Sequence, residues 1–340
     1  MRLGIDIGST TVKVVLMDEN NEILYKRYER HMSSVFEKAQ ELLEDILKER
    51  GDEKVKVVIT GSGGLALADS LKLPFEQEVV TCSIAVKHLI PETDCVIELG
   101  GEDAKITFFG ATVEQRMNGT CAGGTGAFID QMAILLNTDG DGLNEAAKDY
   151  DTIYPIAARC GVFAKTDIQP LINEGASLSN LAASIFQAVV NQTISGLACG
   201  HKIEGHVAYL GGPLSYLSEL RARFTETLGL SPDEVIFPEN SKYFVAIGAA
   251  IMAEDKEEVT ISSLVDALNN IDSSQNRASK RTEPLFKDEA ELQSFRERHA
   301  RAKIKRKDLS LCEGPLYLGI DAGSTTTKAA LIDGDRNLVY

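Results

Sequence analysis

The chain has 340 residues, 44% hydrophobic and 25% charged, and carries a net charge of −16 from 35 Lys and Arg against 51 Asp and Glu. This length suits two domains or one large bilobed one, and the acidic balance excludes a general nucleic-acid binder, whose phosphate contacts need a basic surface. Six cysteines are too sparse for a disulfide scaffold, no signal peptide precedes Leu3, and even residues 181–198 are interrupted by Gln187, Asn191 and Gln192, so a cytoplasmic protein without a membrane partner is expected.

Residues 2–7, 12–18 and 22–30 read as three strands joined by Gly-Ser-Thr and Asp-Glu-Asn-Asn turns. Residues 33–50 form an amphipathic helix with a Ser N-cap and Gly51 at its end. A short strand at 55–60 runs into Gly61-Ser62-Gly63-Gly64, which reads as a helix-preceding turn, or as the wall of an interface or cleft. A strand at 94–99 leads to Gly100-Gly101-Glu102-Asp103 and a hairpin, 104–109 and 112–117. Helices at 125–136, 162–173 and 178–198 follow, then a strand at 206–210 meeting Gly211-Gly212-Pro213, and a closing helix at 243–253. A hairpin-first meander followed by helices, stated twice, predicts two related halves facing a cleft.

Residues 277–308 invert the acidic balance, with eleven Lys and Arg against six Asp and Glu. They read as a solvated linker helix or as an interaction arm. Residues 318–340 then repeat residues 3–25, with twelve of twenty-three positions identical. Self-similarity this dense marks a second copy of a domain start, and one hairpin alone cannot bury a core. The expected organisation is a two-lobed domain over 1–255, a charged helical linker over 256–314, and the start of a second copy over 315–340, the whole being the N-terminal piece of a longer tandem protein.

Three glycine turns each end an apolar strand. In Asp6-Ile7-Gly8-Ser9-Thr10-Thr11-Val12-Lys13, turn amides and hydroxyls converge on one anion, Lys13 reaches it from the next strand, and Asp6 suits a hydrated Mg²⁺. Glu98-Leu99-Gly100-Gly101-Glu102-Asp103 repeats the arrangement, while Gly211-Gly212-Pro213 has no charge and suits a flat nucleoside. Neither a Walker loop nor a Rossmann fingerprint is present. This order resembles the ATPase superfamily of actin, sugar kinases and heat-shock chaperones, an α/β fold with two similar lobes around a nucleotide cleft. The resemblance implies that the first two turns hold phosphates and metal and the third holds adenosine, and Ala246-Ile247-Gly248-Ala249-Ala250 looks like the superfamily's second connecting helix.

Cys121 and Cys160 each precede a helix and are flanked by small residues. A helix N-terminus with free amides stabilises thiolate charge. Two thiolates cannot hold a four-ligand cluster, whereas a symmetric homodimer supplies four, which suits [4Fe-4S]. The competing reading is a pair of small buried hydrophobes, and Cys82, Cys95 and Cys199 keep that reading. The stretches CAGGTGAFID and ARCGVFAKTDIQPLI, set between GGED and the Gly-Gly-Pro turn, are similar to the activators of 2-hydroxyacyl-CoA dehydratases and the ATP-coupling subunits of benzoyl-CoA reductase. The resemblance covers roughly residues 2–253. It implies a homodimer with Cys121 and Cys160 as the ligands of one bridging [4Fe-4S] cluster. It places Ser9, Thr10, Thr11 and Lys13 in the first phosphate turn and Gly100, Gly101 and Asp103 in the second. It further implies ATP hydrolysis driving a low-potential electron from a ferredoxin or flavodoxin donor to an iron–sulfur acceptor enzyme, with the helices after the two cysteines transmitting the lobe movement.

Two departures stand out. Simple activators commonly carry Gln where this chain has Glu102, whose carboxylate is placed to orient water or assist the metal, beside Asp6 and Asp103 as the other catalytic acids. The repeated domain start points to larger multi-domain relatives. Two rival functions fit the same fold: a sugar-type kinase, and an ATP-binding regulator without electron transfer.

Overall fold

The computed structural model describes residues 1–118, 123–157, 161–271, 284–323 and 326–340. Cys121 and Cys160 lie outside the described residues. The chain divides into two compact units, residues 1–271 and 272–340.

In the first unit, β1 (Arg2–Ile7), β2 (Thr11–Met17) and β3 (Ile23–Arg30) form an antiparallel meander, and α1 (Val35–Arg50) returns the chain to β4 (Lys54–Thr60), parallel to β1. All six residues of β1 are buried, as expected of a central strand covered on both faces. After α2 (Gly64–Leu71) and α3 (Glu78–Leu89), the theme recurs: β5 (Cys95–Leu99), β6 (Ala104–Phe109) and β7 (Val113–Met117) form a second meander. Four helices follow, α4 (Gly126–Leu135), α5 (Gly140–Ala146), α6 (Gly161–Asn173) and α7 (Leu178–Thr193), before β8 (Val207–Leu210) pairs parallel with β5. Next come α8 (Gly212–Tyr216), α9 (Ser218–Leu228), and β9 (Val235–Ile236) parallel to β8. The two sheets, β10-β4-β1-β2-β3 and β7-β6-β5-β8-β9, thus share a meander plus a parallel fourth strand. They differ in the fifth strand: β10 (Glu258–Thr260) is antiparallel to β4.

Between the lobes runs α10 (Phe244–Met252), with its first seven residues buried. It lies so close to β1 and α3 that a β-carbon on Gly4 would come within 1.9 Å of the Ala246 carbonyl oxygen, and one on Gly248 within 1.8 Å of the Thr81 carbonyl oxygen. Only glycine fits at either crossing.

The first unit also extends past the boundary expected near residue 255. β10 leads into α11 (Ile261–Asn269), whose Ile261, Leu264, Val265 and Leu268 join Leu42, Leu43 and Ile46 of α1 in one core. A second adjustment concerns α7, which runs on through one π-helical turn, so that residues Leu178–Ala198 reach a mean hydropathy of 1.2, enough by length and composition to cross a membrane; 67% of that stretch is buried in the second lobe. Its apolar character is the requirement of a core helix packed on several sides. Cys82 and Cys95 are buried, and burial pushes the Cys95 thiol up to about 12 and Cys82 well above its ordinary value. Cys199, expected inside, is exposed at the end of the π turn.

The second unit contains α12 (Glu289–Ala300), without a buried residue, and the antiparallel hairpin of β11 (Tyr317–Ala322) and β12 (Thr327–Ile332).

Candidate functional site

The three glycine turns meet at one place in the first unit, each delivered by the end of a central strand. At the first turn the Gly8 amide donates to the Thr11 carbonyl at 2.9 Å. The antiparallel register then sets Asp6 opposite Lys13, and Lys13 Nζ donates to Asp6 Oδ2 at 2.6 Å. Burial alone would lower the Lys13 pKa, but the Asp6 charge and hydrogen bond, with Glu98 beyond, outweigh it and the pKa is raised. Asp6 is 1% exposed, and its Oδ1 has no hydrogen-bond partner among the described residues.

The second turn is built alike. The Gly100 amide donates to the Asp103 carbonyl at 2.7 Å, and Glu98 stands opposite Lys105 in the β5–β6 register. Lys105 Nζ lies 2.6 Å from Glu78 Oε1 of α3 and 3.6 Å from Glu98 Oε1. Burial works against the Lys105 charge, yet the two carboxylates raise its pKa well above the usual lysine range. Glu78 is raised as well, chiefly by burial, which Lys105 does not overcome.

The second turn also holds the described residues on both sides of the segment 119–122, which contains Cys121. Before that segment, Asn118 donates its backbone amide to the Ala104 carbonyl at 3.0 Å, accepts the Ala104 amide on its side chain at 2.8 Å, and donates Nδ2 to the Glu102 carbonyl at 3.1 Å. After it, the first two amides of α4, Gly126 and Ala127, donate to the Gly100 and Gly101 carbonyls at 3.0 and 2.7 Å. Those two amides are therefore spent on the second turn, a correction to the expectation of a free helix N-terminus beside Cys121. Cys160 directly precedes α6, and α6 begins against α4, where a β-carbon on Gly161 would lie 3.0 Å from Gln131 Oε1.

The turns enclose two adjoining spaces. An inner cavity of about 30 Å³ is lined by Asp6, Gly8, Ser9, Thr10, Thr11, Lys13, Gly100, Gly101, Asp103, Gly211 and Gly212, and has room for one or two waters. An outer cavity of about 370 Å³ is lined by Gly126, Asp130, Asp139, Asp141, Pro213 and Tyr216. The lobes touch across the line between them. Thr10 packs on Gly101, where a β-carbon would lie 2.2 Å from Thr10 Oγ1, and Arg30 of β3 pairs with Asp130 of α4 at 2.8 Å.

The structure thus brings together every expected residue of the three turns except Glu102, which is exposed and lines neither cavity. It places Glu98 of the second motif on the inner cavity and adds residues that were not expected there, among them Tyr28, Glu78, Lys105 and Lys242. A signal for Lys105 was present, since Glu98 and Lys105 stand seven apart, the spacing of Asp6 and Lys13. Tyr28, Glu78 and Lys242 reach the site from β3, α3 and the turn before α10, and no motif marks them.

Comparison with known proteins agrees with this geometry. Residues 3–253 match the sequence profile of the BadF/BadG/BcrA/BcrD ATPase family. The chain is 28% identical over 261 residues to the 2-hydroxyisocaproyl-CoA dehydratase activator of Clostridioides difficile, covering 75% of this chain and 95% of that one. It is 28% identical over 266 residues to the (R)-2-hydroxyglutaryl-CoA dehydratase activating ATPase of Acidaminococcus fermentans, covering 75% and 97%. The crystal structure of component A of the Acidaminococcus fermentans (R)-2-hydroxyglutaryl-CoA dehydratase superposes with a TM-score of 0.66 at 25% identity, covering 74% of this chain and 96% of that one. That match shows a shared α/β fold over the first unit's length.

Proposed function

We propose, since the chain belongs to the BadF/BadG/BcrA/BcrD ATPase family, that it is an ATP-hydrolysing activator in the cytoplasm. In this reading it passes a low-potential electron from a ferredoxin or flavodoxin to an iron–sulfur enzyme of the 2-hydroxyacyl-CoA dehydratase or benzoyl-CoA reductase type. The activator relatives support the class of partner. The observation that carries the coupling is the hold on the segments that flank Cys121 in sequence: Asn118 before it and Gly126 and Ala127 after it are all hydrogen-bonded to residues 100–104.

ATP would place its nucleoside in the outer cavity, against Pro213 and Tyr216, and its phosphates between the first two turns. The inner cavity is too small for a triphosphate, so binding requires the Thr10–Gly101 contact to part. Mg²⁺ suits Asp6, which keeps one buried, unpaired carboxylate oxygen. Asp6 and Asp103 face the phosphates as acids for metal or water, and Glu102 would join them by movement of its turn. Because residues 100–104 hold Asn118 on one side and Gly126 and Ala127 on the other, a displacement of the second turn by phosphate would move the segments that flank Cys121 in sequence, and α4 with them. ATP needs only a difference in affinity between two lobe arrangements to drive this. A [4Fe-4S] cluster, held by Cys121 and Cys160 from each protomer of a homodimer, would supply one-electron chemistry at low potential.

The test is iron and acid-labile sulfide per dimer after strictly anaerobic purification, on wild type, Cys121→Ser and Cys160→Ser. About four of each in wild type, lost in both variants, is expected. A stable dimer with full ATP turnover and no iron after anaerobic reconstitution would remove the electron-transfer reading.

A further inference from the structure

Three lysines line the inner cavity, and they differ in their partners. Lys13 is held by Asp6 at 2.6 Å, and Lys105 by Glu78 and Glu98 at 2.6 and 3.6 Å. Lys242 has no carboxylate within ion-pair distance among the described residues. It is half-buried, its Nζ donates to Tyr216 Oη at 2.5 Å, and it stands 4.2, 5.4 and 5.5 Å from the ring centroids of Tyr216, Tyr28 and Tyr243. A cation caged by π faces keeps its full charge, since a ring quadrupole attracts it without neutralising it. Four carboxylates, Asp6, Glu78, Glu98 and Asp103, face the same cavity, so a polyphosphate entering there meets a repulsive wall unless one cation is available to it.

Tyr28 stands where such a ligand has to pass. Its ring lines both cavities, it meets Tyr216 and Tyr243 edge-on, and a β-carbon on Gly212 of the third turn would lie 2.3 Å from its hydroxyl. One ligand spanning the two cavities takes the volume of that ring.

We propose that Lys242 is the phosphate-binding cation of the cleft and that Tyr28 is the aromatic placeholder it leaves when a nucleotide enters. The proposal rests on the reading that the cleft takes ATP, and it moves the phosphate-binding role from Lys13, which Asp6 already occupies, to the other lysine beside Tyr28. Phosphate takes the place of the Tyr28 ring beside Lys242, whose hydrogen bond goes to Tyr216, so nucleotide entry and Tyr28 displacement are one event. Discrimination between ATP and adenosine then lies in Lys242.

The experiment is calorimetric titration with ADPNP and with adenosine, on wild type, Lys242→Gln and Lys242→Arg. Melting temperature serves as the folding control. Lys242→Gln is expected to weaken ADPNP by about tenfold or more, the loss of a charge-assisted contact, and to leave adenosine unchanged; Lys242→Arg retains ADPNP. The chain has no tryptophan, so Tyr28→Trp places a single tryptophan at the ring, selectively excited above the tyrosine absorption, and its emission shifts on ADPNP but not on adenosine. ADPNP binding that survives Lys242→Gln, or an equal loss of both ligands, overturns the proposal alone, as does an unmoved Tyr28→Trp signal. A wild type that binds no ADPNP overturns the ATP reading and this proposal with it.

Discussion

The hairpin β1–β2 and the hairpin β11–β12 are near-copies in sequence and in register. Asp6 faces Lys13 as Asp321 faces Lys328, the ion pairs measure 2.6 and 3.0 Å, and the Gly8 and Gly323 amides close their turns at 2.9 and 3.0 Å. Their surroundings differ. Asp6 and Lys13 side chains are 2% and 15% exposed, Asp321 and Lys328 69% and 72%. Gly4 is pressed against α10, whereas Gly319 has its nearest neighbour, the Ala330 carbonyl oxygen, 3.9 Å from a built β-carbon. The strand pairing, the turn and the cross-strand ion pair are therefore local properties of some two dozen residues. The inner cavity is not, because its other walls come from the second and third turns, α3, and the turn before α10 with the first residues of that helix.

The comparison predicts unequal costs for the same kinds of substitution. The largest belongs to Lys105, the second lobe's counterpart of Lys13. Lys105→Ala leaves Glu78 and Glu98 buried without their cation, and a loss of about 3–5 kcal/mol in urea unfolding is expected. Lys328→Ala, on the exposed copy, should move the same transition by less than about 0.5 kcal/mol. Equal effects at the two sites would show that burial does not set the value of this pair. Next comes Gly4→Ala, which forces a β-carbon onto the Ala246 carbonyl and should cost about 1–3 kcal/mol or more as overpacking. Gly319→Ala, with open space around it, is expected to be neutral in the same measurement. A neutral Gly4→Ala would contradict the close crossing of β1 and α10.

Much of the fold was legible because it is written twice. The alternation of Leu3, Ile5 and Ile7 with smaller or polar residues, and the strand ends at Gly8, Gly100 and Gly211, located both meanders and all three turns. The end of the first domain was misread for a local reason: residues 258–269 are short and polar in part, and only their packing on β4 and α1 ties them to the first lobe. Within the site, the glycines and the acids on strand ends were visible, since turn chemistry is local. Tyr28, Glu78 and Lys242 were not, because each arrives from an element whose own periodicity explains it fully as strand, helix start or loop. Glu102 shows the converse. Its motif drew attention, yet its side chain is solvent-exposed while its backbone carbonyl takes the Asn118 hydrogen bond.

The smallest predicted effect is a dependence of stability on alkali, which divides the buried pairs from the exposed one. Lys13 and Lys105 have folded pKa values raised above the ordinary 10.5, burial opposing and the neighbouring carboxylates prevailing. A lysine that holds its proton more tightly when folded contributes stability in full below its unfolded value and loses it as pH rises through the folded one. Each pair is therefore intact at neutral pH, and its contribution declines only above about pH 10.5, by at most about 1.4 kcal/mol per pH unit for each group. Lys13→Met removes one such group, so its stability should fall less steeply than that of wild type above that pH. Parallel curves for wild type and Lys13→Met, by thermal melts in steps from pH 9 upward, would mean that Asp6 does not hold the Lys13 proton more tightly in the folded state, and the first hairpin would then differ from its copy in packing alone.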